Sequence, residues 1–334
     1  MINKNKIKIG FIGHGRHAGN NLYPSLKLLG LNIHSISTTS KKSADKAKLD
    51  QGASNSYSNY KNMLKKENLD CVFISTPPEQ HVELTIDCLN SGSHVFVEKN
   101  LGYNQKEAQA VAGVSKKTKK HVMVGFMKRY APAYQKMYEI IKTKEFGEII
   151  SVSGMFGVRN FVTNSKEFLL FAAIHYVDML TSIIGEVKEL EGHESNVKGS
   201  ISQVFTCVGE TGITASMAFY GSPSWSKLNE ELYVTGVNGY THIENVEKLS
   251  YHINAPKSEK PRWQIMDEEE TVVSTVSTTS SGGYKDLYQR GFVPEIEHFI
   301  DCVSKNKEPL TSAFENAKTM KMSDFILSNL KSLP

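Results

Sequence analysis

In His94-Val-Phe-Val-Glu98-Lys99-Asn100, four residues of strand pattern end in a charged pair. An ammonium partly desolvated at such an edge can hold and polarise a carbonyl or alcohol oxygen, which is what hydride transfer asks of a side chain. A site for a hydride carrier is written near the N-terminus. Lys8-Ile-Gly-Phe-Ile runs straight into Gly13-His14-Gly15-Arg16-His17-Ala18, an apolar strand pattern opening through glycines into a helix. Gly13 would make the tight turn, Gly15 would let a pyrophosphate approach the backbone, and Ala18 would let the helix pack closely on the sheet. The diphosphate would rest on the helix N-terminus, with Arg16 and His17 beside it.

Two more segments bear on the carrier. The second strand pattern ends in Ile36-Ser37-Thr38-Thr39-Ser40-Lys41-Lys42, with no Asp or Glu before Asp45. An acid at that point would hold the ribose 2′-hydroxyl of NAD; hydroxyls followed by lysine suit a 2′-phosphate, so Thr38, Thr39, Ser40 and Lys41 favour NADP over NAD. A solvated lysine-rich loop, with the ribose held elsewhere, is the alternative. Ile74-Ser75-Thr76-Pro77-Pro78-Glu79-Gln80-His81 reads as a strand end and helix start at the carboxyl edge where open α/β sheets bind ligands. Thr76, Pro77 and His81 are expected at the cofactor channel, although two prolines and a polar cap also simply begin a helix.

These groups need a parallel sheet to gather them. Strand patterns at Ile7–Ile12, Asn32–Ser37, Cys71–Ser75, His94–Val97 and His121–Gly125 alternate with helical patterns near 18–29, 43–51, 60–66, 80–91 and 105–117. Beyond Tyr130 the texture changes. A helix near 133–143 is followed by strand-like runs at 149–156, 203–208, 214–220 and 231–235, interrupted by a long helical pattern over Lys166–Ile184. The fold class is therefore α/β: a doubly wound parallel sheet in a domain over 1–127, and an α/β domain with a mixed, mostly antiparallel sheet over 128–334. Ser274–Gly283, rich in Ser, Thr and Gly, reads as a mobile surface loop, and Val293–Val303 as an amphipathic helix.

Composition narrows the classes. The chain has 334 residues, enough for two domains at about 150 residues each. Its 39 basic and 35 acidic side chains leave a net charge of +4, too small a field for nucleic acid or an anionic membrane. Cys71, Cys88, Cys207 and Cys302 form no Cys-x-x-Cys pair, so no metal is expected and a reducing cytoplasm suits them. Neither a signal-peptide pattern nor an apolar run of about 18 residues is read.

The Gly13/Gly15/Ala18 turn, Thr76-Pro77-Pro78 with His81, and Glu98-Lys99 together resemble the Gfo/Idh/MocA oxidoreductases, relatives of glucose-fructose oxidoreductase and inositol dehydrogenase. Val124-Gly125-Phe126 with Arg129, Phe146-Gly147-Glu148-Ile149, His175-x-x-Asp178 and Thr235-Gly236-x-x-Gly239 follow in matching order. The resemblance spans essentially the whole chain. It implies an N-terminal Rossmann domain, a C-terminal domain with a large open sheet, a bound NADP or NAD, a sugar, polyol or nucleotide-sugar substrate, and a homodimer or homotetramer. It also implies catalytic roles for Lys99 and His175 and adds Glu98 and Arg129 to the cofactor residues. Tyr130, Arg159, Asn160 and Asp178 are candidates for the substrate side, Asp178 as a group that could orient His175.

Two positions depart from the family pattern. Proline usually follows the Glu-Lys pair, and here Asn100 stands there. The Lys99–Asn100 bond is expected to be trans, since a cis bond before a non-proline residue costs about 3–4 kcal/mol. Many members carry an aspartate four residues before the histidine; here it is Phe171. These departures keep two other readings open: a dinucleotide-binding sensor without turnover, and a redox-neutral glycosidase that uses a tightly bound cofactor.

Overall fold

A computed structural model describes residues 7–160, 162, 164–226, 228–254, 261–264, 270–274 and 285–332. Chain contacts divide it into two compact units, Met1–Tyr130 with Tyr284–Asp324, and Ala131–Gly283 with Phe325–Pro334.

In the first unit, strands β1 (Ile9–Ile12), β2 (Ile33–Ser37), β3 (Asn55–Tyr57), β4 (Cys71–Ile74), β5 (His94–Val97) and β6 (Val122–Val124) form one sheet. It is ordered β3-β2-β1-β4-β5-β6, and every pairing is parallel. Strand order reverses between β1 and β4, and the crevice outside their carboxyl ends is where such sheets take ligands. The crossovers are α1 (Tyr23–Leu28), preceded by a π-helical turn at Ala18–Leu22, then α2 (Lys41–Gln51), α3 (Tyr60–Lys66), α4 (His81–Asn90) and α5 (Gln105–Thr118). Polar caps start three of them. Ser40 Oγ accepts from Ser43 N, Asn59 Oδ1 from Lys61 N, and Asn104 Oδ1 from Glu107 N, each satisfying a helix N–H that would otherwise lack a partner.

The second unit holds α6 (Pro132–Ile140), β7 (Ile149–Arg159), α7 (Ser165–Phe168), α8 (Ile174–Ile184), β8 (Val187–Val197), β9 (Ser200–Gly209), β10 (Thr214–Ser222), β11 (Asn229–Gly236), β12 (Gly239–Glu244), β13 (Lys248–Ile253) and β14 (Thr271–Ser274). Three further helices, α9 (Lys285–Gln289), α10 (Phe292–Lys305) and α11 (Ala313–Asn329), lead to β15 (Leu330–Ser332). The second sheet runs β14-β13-β12-β11-β7-β10-β9-β8-β15. Only β7 with β10 and β8 with β15 are parallel among its described pairs, so it is mixed and mostly antiparallel as expected.

Three expectations need correction. A single boundary at 127/128 misplaces the C-terminal segment, because 284–324 belongs to the first unit. The reason is the apolar face of α10: Phe292, Val293, Ile296, Phe299, Ile300 and Val303 are all buried in the core over β1, β4 and β5, each side chain contributing about 1.5–3 kcal/mol. Thr311 reinforces the return by exchanging two 2.8 Å hydrogen bonds with Val124, one from Val124 N to its carbonyl and one from its hydroxyl to the Val124 carbonyl.

The long helical pattern is not one α-helix but α7, a π-helical stretch at Leu169–Ala173, and α8. Together Ser165–Ile184 is a 20-residue helix with a hydropathy of 1.5, long and apolar enough by composition to cross a membrane, contrary to the expectation that no such run occurs. Its window is 78% buried inside the protein, with Tyr176 packed on Phe156 of β7 at 5.3 Å and on Phe219 of β10 at 6.3 Å. The third correction, at Lys99–Asn100, belongs with the site. The mobile loop expected at Ser274–Gly283 lies, after Ser274, outside the described residues.

Candidate functional site

The glycine turn is wedged between strand ends. Gly13 has φ +107°, and a Cβ built on it would lie 2.0 Å from the Ser75 carbonyl oxygen. Its N–H donates to Ser37 O at 2.9 Å and its carbonyl accepts from Tyr23 Oη at 2.7 Å, so the turn is tied to the ends of β2 and β4 and to α1. Glycine is obligatory there for backbone reasons. Gly15 is different. Its φ lies outside the left-handed region and a Cβ on it would meet nothing within 4 Å. The fold does not require glycine at 15; a group pressed against its backbone would. Ala18 is fully buried beneath, where the helix meets the sheet.

This turn borders a cavity of about 830 Å3, within the range of cofactor sites. Gly13, His14, Gly15, Arg16 and His17 form one wall, with Thr38 and Thr39 after β2, Ser43 in the first turn of α2, and Ser75, Thr76 and Pro77 after β4. The residues present thus fit a dinucleotide: a diphosphate rest, a hydroxyl-lined corner for the adenosine ribose, and a proline-edged channel toward β5. Ser40 and Lys41 are not among the walls. The Ser40 hydroxyl is spent on capping α2, and the Lys41 ammonium pairs with Asp45 one turn along the same helix. Lysine is instead supplied by Lys61, which lines the cavity with Asn59 and Tyr60 at the start of α3 and sits 3.4 Å from Glu83 and 3.3 Å from Asp87 of α4. Sequence reasoning passed over Asn59, Tyr60, Lys61 and Glu83.

At the end of β5, Glu98 is buried and accepts a hydrogen bond from His17 Nε2 at 2.9 Å. Gly125 leaves room for it: a Cβ there would lie 3.1 Å from Glu98 Oε2. Burial pushes the Glu98 carboxyl up, but His17 and Lys99 together outweigh that and hold it below the usual carboxylate range. Glu98 in turn raises the His17 imidazole above its ordinary value against its partial burial. Burial lowers the Lys99 ammonium and the Glu98 charge draws it back up. The cluster places the Glu98 carboxyl between the His17 imidazole beside the diphosphate rest and Lys99 at the sheet edge.

The Lys99–Asn100 peptide bond is cis, not trans as expected for a non-proline residue. Asn100 is buried, and its carbonyl oxygen lies 2.8 Å from His81 Nδ1. His81 also reaches the Thr76 carbonyl with Nε2 at 2.9 Å. It is therefore a clasp behind the channel and not one of its walls.

The remaining candidates scatter. Tyr130 is buried in the core of the first unit, with its hydroxyl 3.0 Å from Thr311 Oγ1. Arg129 stands beside it on the short 3-10 turn Met127–Tyr130. In the second unit His175 and Asp178 are buried on α8, just after the π-helical stretch that carries Phe171. Such stretches recur at functional positions, and among the described residues another follows the glycine turn. Arg159 is exposed at the end of β7. Asn160 is a structural clasp: its Nδ2 donates to Gly199 O at 2.9 Å and its Oδ1 accepts from Val162 N at 3.1 Å.

Comparison with known proteins places this geometry. Residues 7–126 match the model of the Gfo/Idh/MocA oxidoreductase family with an NAD-binding Rossmann fold. Among curated relatives, scyllo-inositol 2-dehydrogenase (NAD(+)) of Bacillus subtilis is 23% identical over 265 residues, 75% of this chain and 72% of that one. Inositol 2-dehydrogenase of Salmonella typhimurium is 27% identical over 39% of this chain and 40% of its own. Among solved structures, a dehydrogenase from Chromobacterium violaceum superposes with a TM-score of 0.84 at 18% identity, covering 97% of this chain and 95% of the other. A 3-ketoreductase from Actinomadura kijaniata, solved with NADP and TDP-benzene, gives 0.73 at 17% identity over 98% and 99%. With the glycine turn and the Glu98-Lys99 edge in place, residues 7–126 form the NAD-binding Rossmann fold of the Gfo/Idh/MocA oxidoreductase family.

Proposed function

We propose that this oxidoreductase moves a hydride between a nicotinamide dinucleotide, preferentially NADP, and a carbinol carbon of a sugar, polyol or nucleotide sugar. The observation that carries the reading is Lys99 at the carboxyl end of β5, on the edge that also bears the glycine turn. The bound nicotinamide would supply the hydride acceptor or donor. Lys99 would hold and polarise the substrate oxygen, Gly13, Gly15, Arg16 and His17 would seat the diphosphate, and His175 of the second unit would exchange the alcohol proton. The substrate class is supported by the inositol dehydrogenases of Bacillus and Salmonella and by the 3-ketoreductase.

NADP is favoured because the corner after β2 offers the hydroxyls of Thr38, Thr39 and Ser43 and no carboxylate. Lys61 lines the same cavity, and its exposed pairs with Glu83 and Asp87 are worth little, so a 2′-phosphate can compete for it. Titrating the protein with NADP and NAD, then following reduced nicotinamide absorbance across inositols, sugars and nucleotide sugars, tests the reading. Turnover with at least one of them, and tighter NADP than NAD, is expected. Binding without turnover across the panel would favour a sensor, the reading that Phe171 at the place of the usual aspartate supports.

A further inference from the structure

Helix α10 carries a carboxyl group for which neither the fold nor the reaction has yet given a use. Glu295 is fully buried, and neither carboxyl oxygen has a hydrogen-bond partner among the described residues. An ionised carboxylate in that state is costly unless a proton neutralises it. Its place follows from the packing of α10 on β5. The Phe96 ring of β5 lies 5.8 Å from Phe299 of α10. Two residues along the strand, about 6.6 Å at 3.3 Å per residue, stands Glu98; four residues back along the helix, about 6 Å at 1.5 Å per residue, stands Glu295. Alternation on the strand and the four-residue step on the helix keep each pair on one side.

One turn further back, Phe292 packs edge-on against His17 at 5.7 Å, and His17 is the hydrogen-bond partner of Glu98. Glu98 and Glu295 are thus placed on facing sides of the strand–helix seam, near enough for the Glu98 charge to act on Glu295. Among the described residues, the other charged and titratable groups around them include His17, Lys99 and His81 near Glu98, the Tyr130 hydroxyl after β6 with Arg129 beside it, and Arg290, whose guanidinium lies 4.8 Å over the Phe292 ring. Burial, and then the Glu98 charge, push the Glu295 carboxyl well above its ordinary range.

We propose that Glu295 is a positioning residue that works as the neutral carboxylic acid, leaving Glu98 as the sole carboxylate that fixes His17 at the glycine turn and Lys99 at the sheet edge. Two carboxylates this close would repel, and the proton on Glu295 keeps the charge on the one facing the cations. The functional consequence rests on the reading of the cavity as a dinucleotide site; the protonation state does not.

Infrared difference spectra of the full-length protein separate the two. Wild type at neutral pH is expected to show a protonated-carboxyl C=O band that shifts in deuterium oxide and is missing from Glu295→Gln. In Glu98→Gln the band persists but disappears at a pH at least about one unit lower, because the repelling charge is gone. Dinucleotide affinity should be kept within about twofold in Glu295→Gln, which is neutral and similar in shape, and fall about tenfold in Glu295→Asp, whose lost methylene opens a void in the buried seam beside Glu98. No band removed by Glu295→Gln, or an affinity loss in that variant as large as in Glu295→Asp, overturns the proposal. If no variant and no wild type binds dinucleotide, the cavity reading fails while the band still reports on Glu295.

Discussion

His81 ties Thr76 to Asn100: its Nε2 lies 2.9 Å from one carbonyl oxygen and its Nδ1 2.8 Å from the other. A neutral imidazole owns one N–H, so only one of these can be a full hydrogen bond at a time, and protonation would complete both. Burial opposes that and holds His81 below its ordinary value. The unfolded chain then binds the proton more readily than the folded one, so this group's contribution is present above about pH 6.5 and is lost as pH falls toward the lowered folded value. His81→Ala strips a partner from the buried Asn100 carbonyl and from the half-buried Thr76 carbonyl, and should cost about 1–3 kcal/mol in chemical denaturation. Turnover should drop about tenfold as the loop carrying Lys99 loosens. His81→Gln, which cannot titrate, should flatten the acid side of the stability curve; an unchanged curve would remove His81 from this role.

The two turn glycines give opposite phenotypes. A Cβ at 13 collides with the Ser75 carbonyl in a backbone region hostile to side chains, whereas one at 15 enters open space from an ordinary conformation. Gly13→Ala should therefore lower the melting temperature sharply. Gly15→Ala should leave it unchanged or raise it, by up to about 1 kcal/mol in stability, because the unfolded chain loses freedom. Its dinucleotide affinity should nevertheless fall at least about tenfold, the methyl occupying the approach to the backbone. Calorimetry with a binding titration on both variants checks this, and retained affinity in Gly15→Ala would mean the diphosphate lies elsewhere.

What the sequence made legible was what depends on local pattern. Glycines after an apolar run announced the β1 turn, and five strands of the first sheet were readable as apolar runs. The edge strand Asn55–Tyr57 was not, because three polar residues carry no periodicity. Nor was the wall that follows it: Asn59, Tyr60 and Lys61 face the cavity because β3 pairs with β2, a long-range fact. Lys41 looked like the phosphate ligand because lysine follows the hydroxyls, but a helix capped at Ser40 turns it toward Asp45. The amphipathic pattern of α10 was plain, yet pattern alone cannot say which sheet it covers. Glu295 is one carboxyl among many in a helix, and its burial follows from the long-range packing of Phe299 on Phe96, which no local pattern announces.

Cofactor choice should reside in the corner after β2. Thr38→Asp places there the carboxylate that holds a ribose 2′-hydroxyl and repels a 2′-phosphate. The ratio of NADP to NAD affinity should fall by at least about tenfold, roughly 1.4 kcal/mol. Lys61→Ala should weaken NADP and leave NAD nearly unchanged. A Lys61→Ala variant that weakens both equally would assign the lysine to the shared part of the dinucleotide.

The working form of Lys99 can be read from its pH dependence. An ammonium that donates to the substrate oxygen is lost as pH rises through its folded value, which burial lowers and Glu98 partly restores. The alkaline limb of kcat/KM should therefore lie below the pH at which an exposed lysine titrates. Glu98→Gln removes the restoring charge, so the limb should move to still lower pH. Lys99→Ala should cut kcat by about 100-fold with dinucleotide affinity nearly intact, and His175→Ala by a similar factor. Lys99→Arg should not restore turnover, because the planar fork cannot occupy the point position of an ammonium. If the limb moves upward in Glu98→Gln, or if Lys99→Ala keeps wild-type kcat, the lysine is not the group that holds the reacting oxygen.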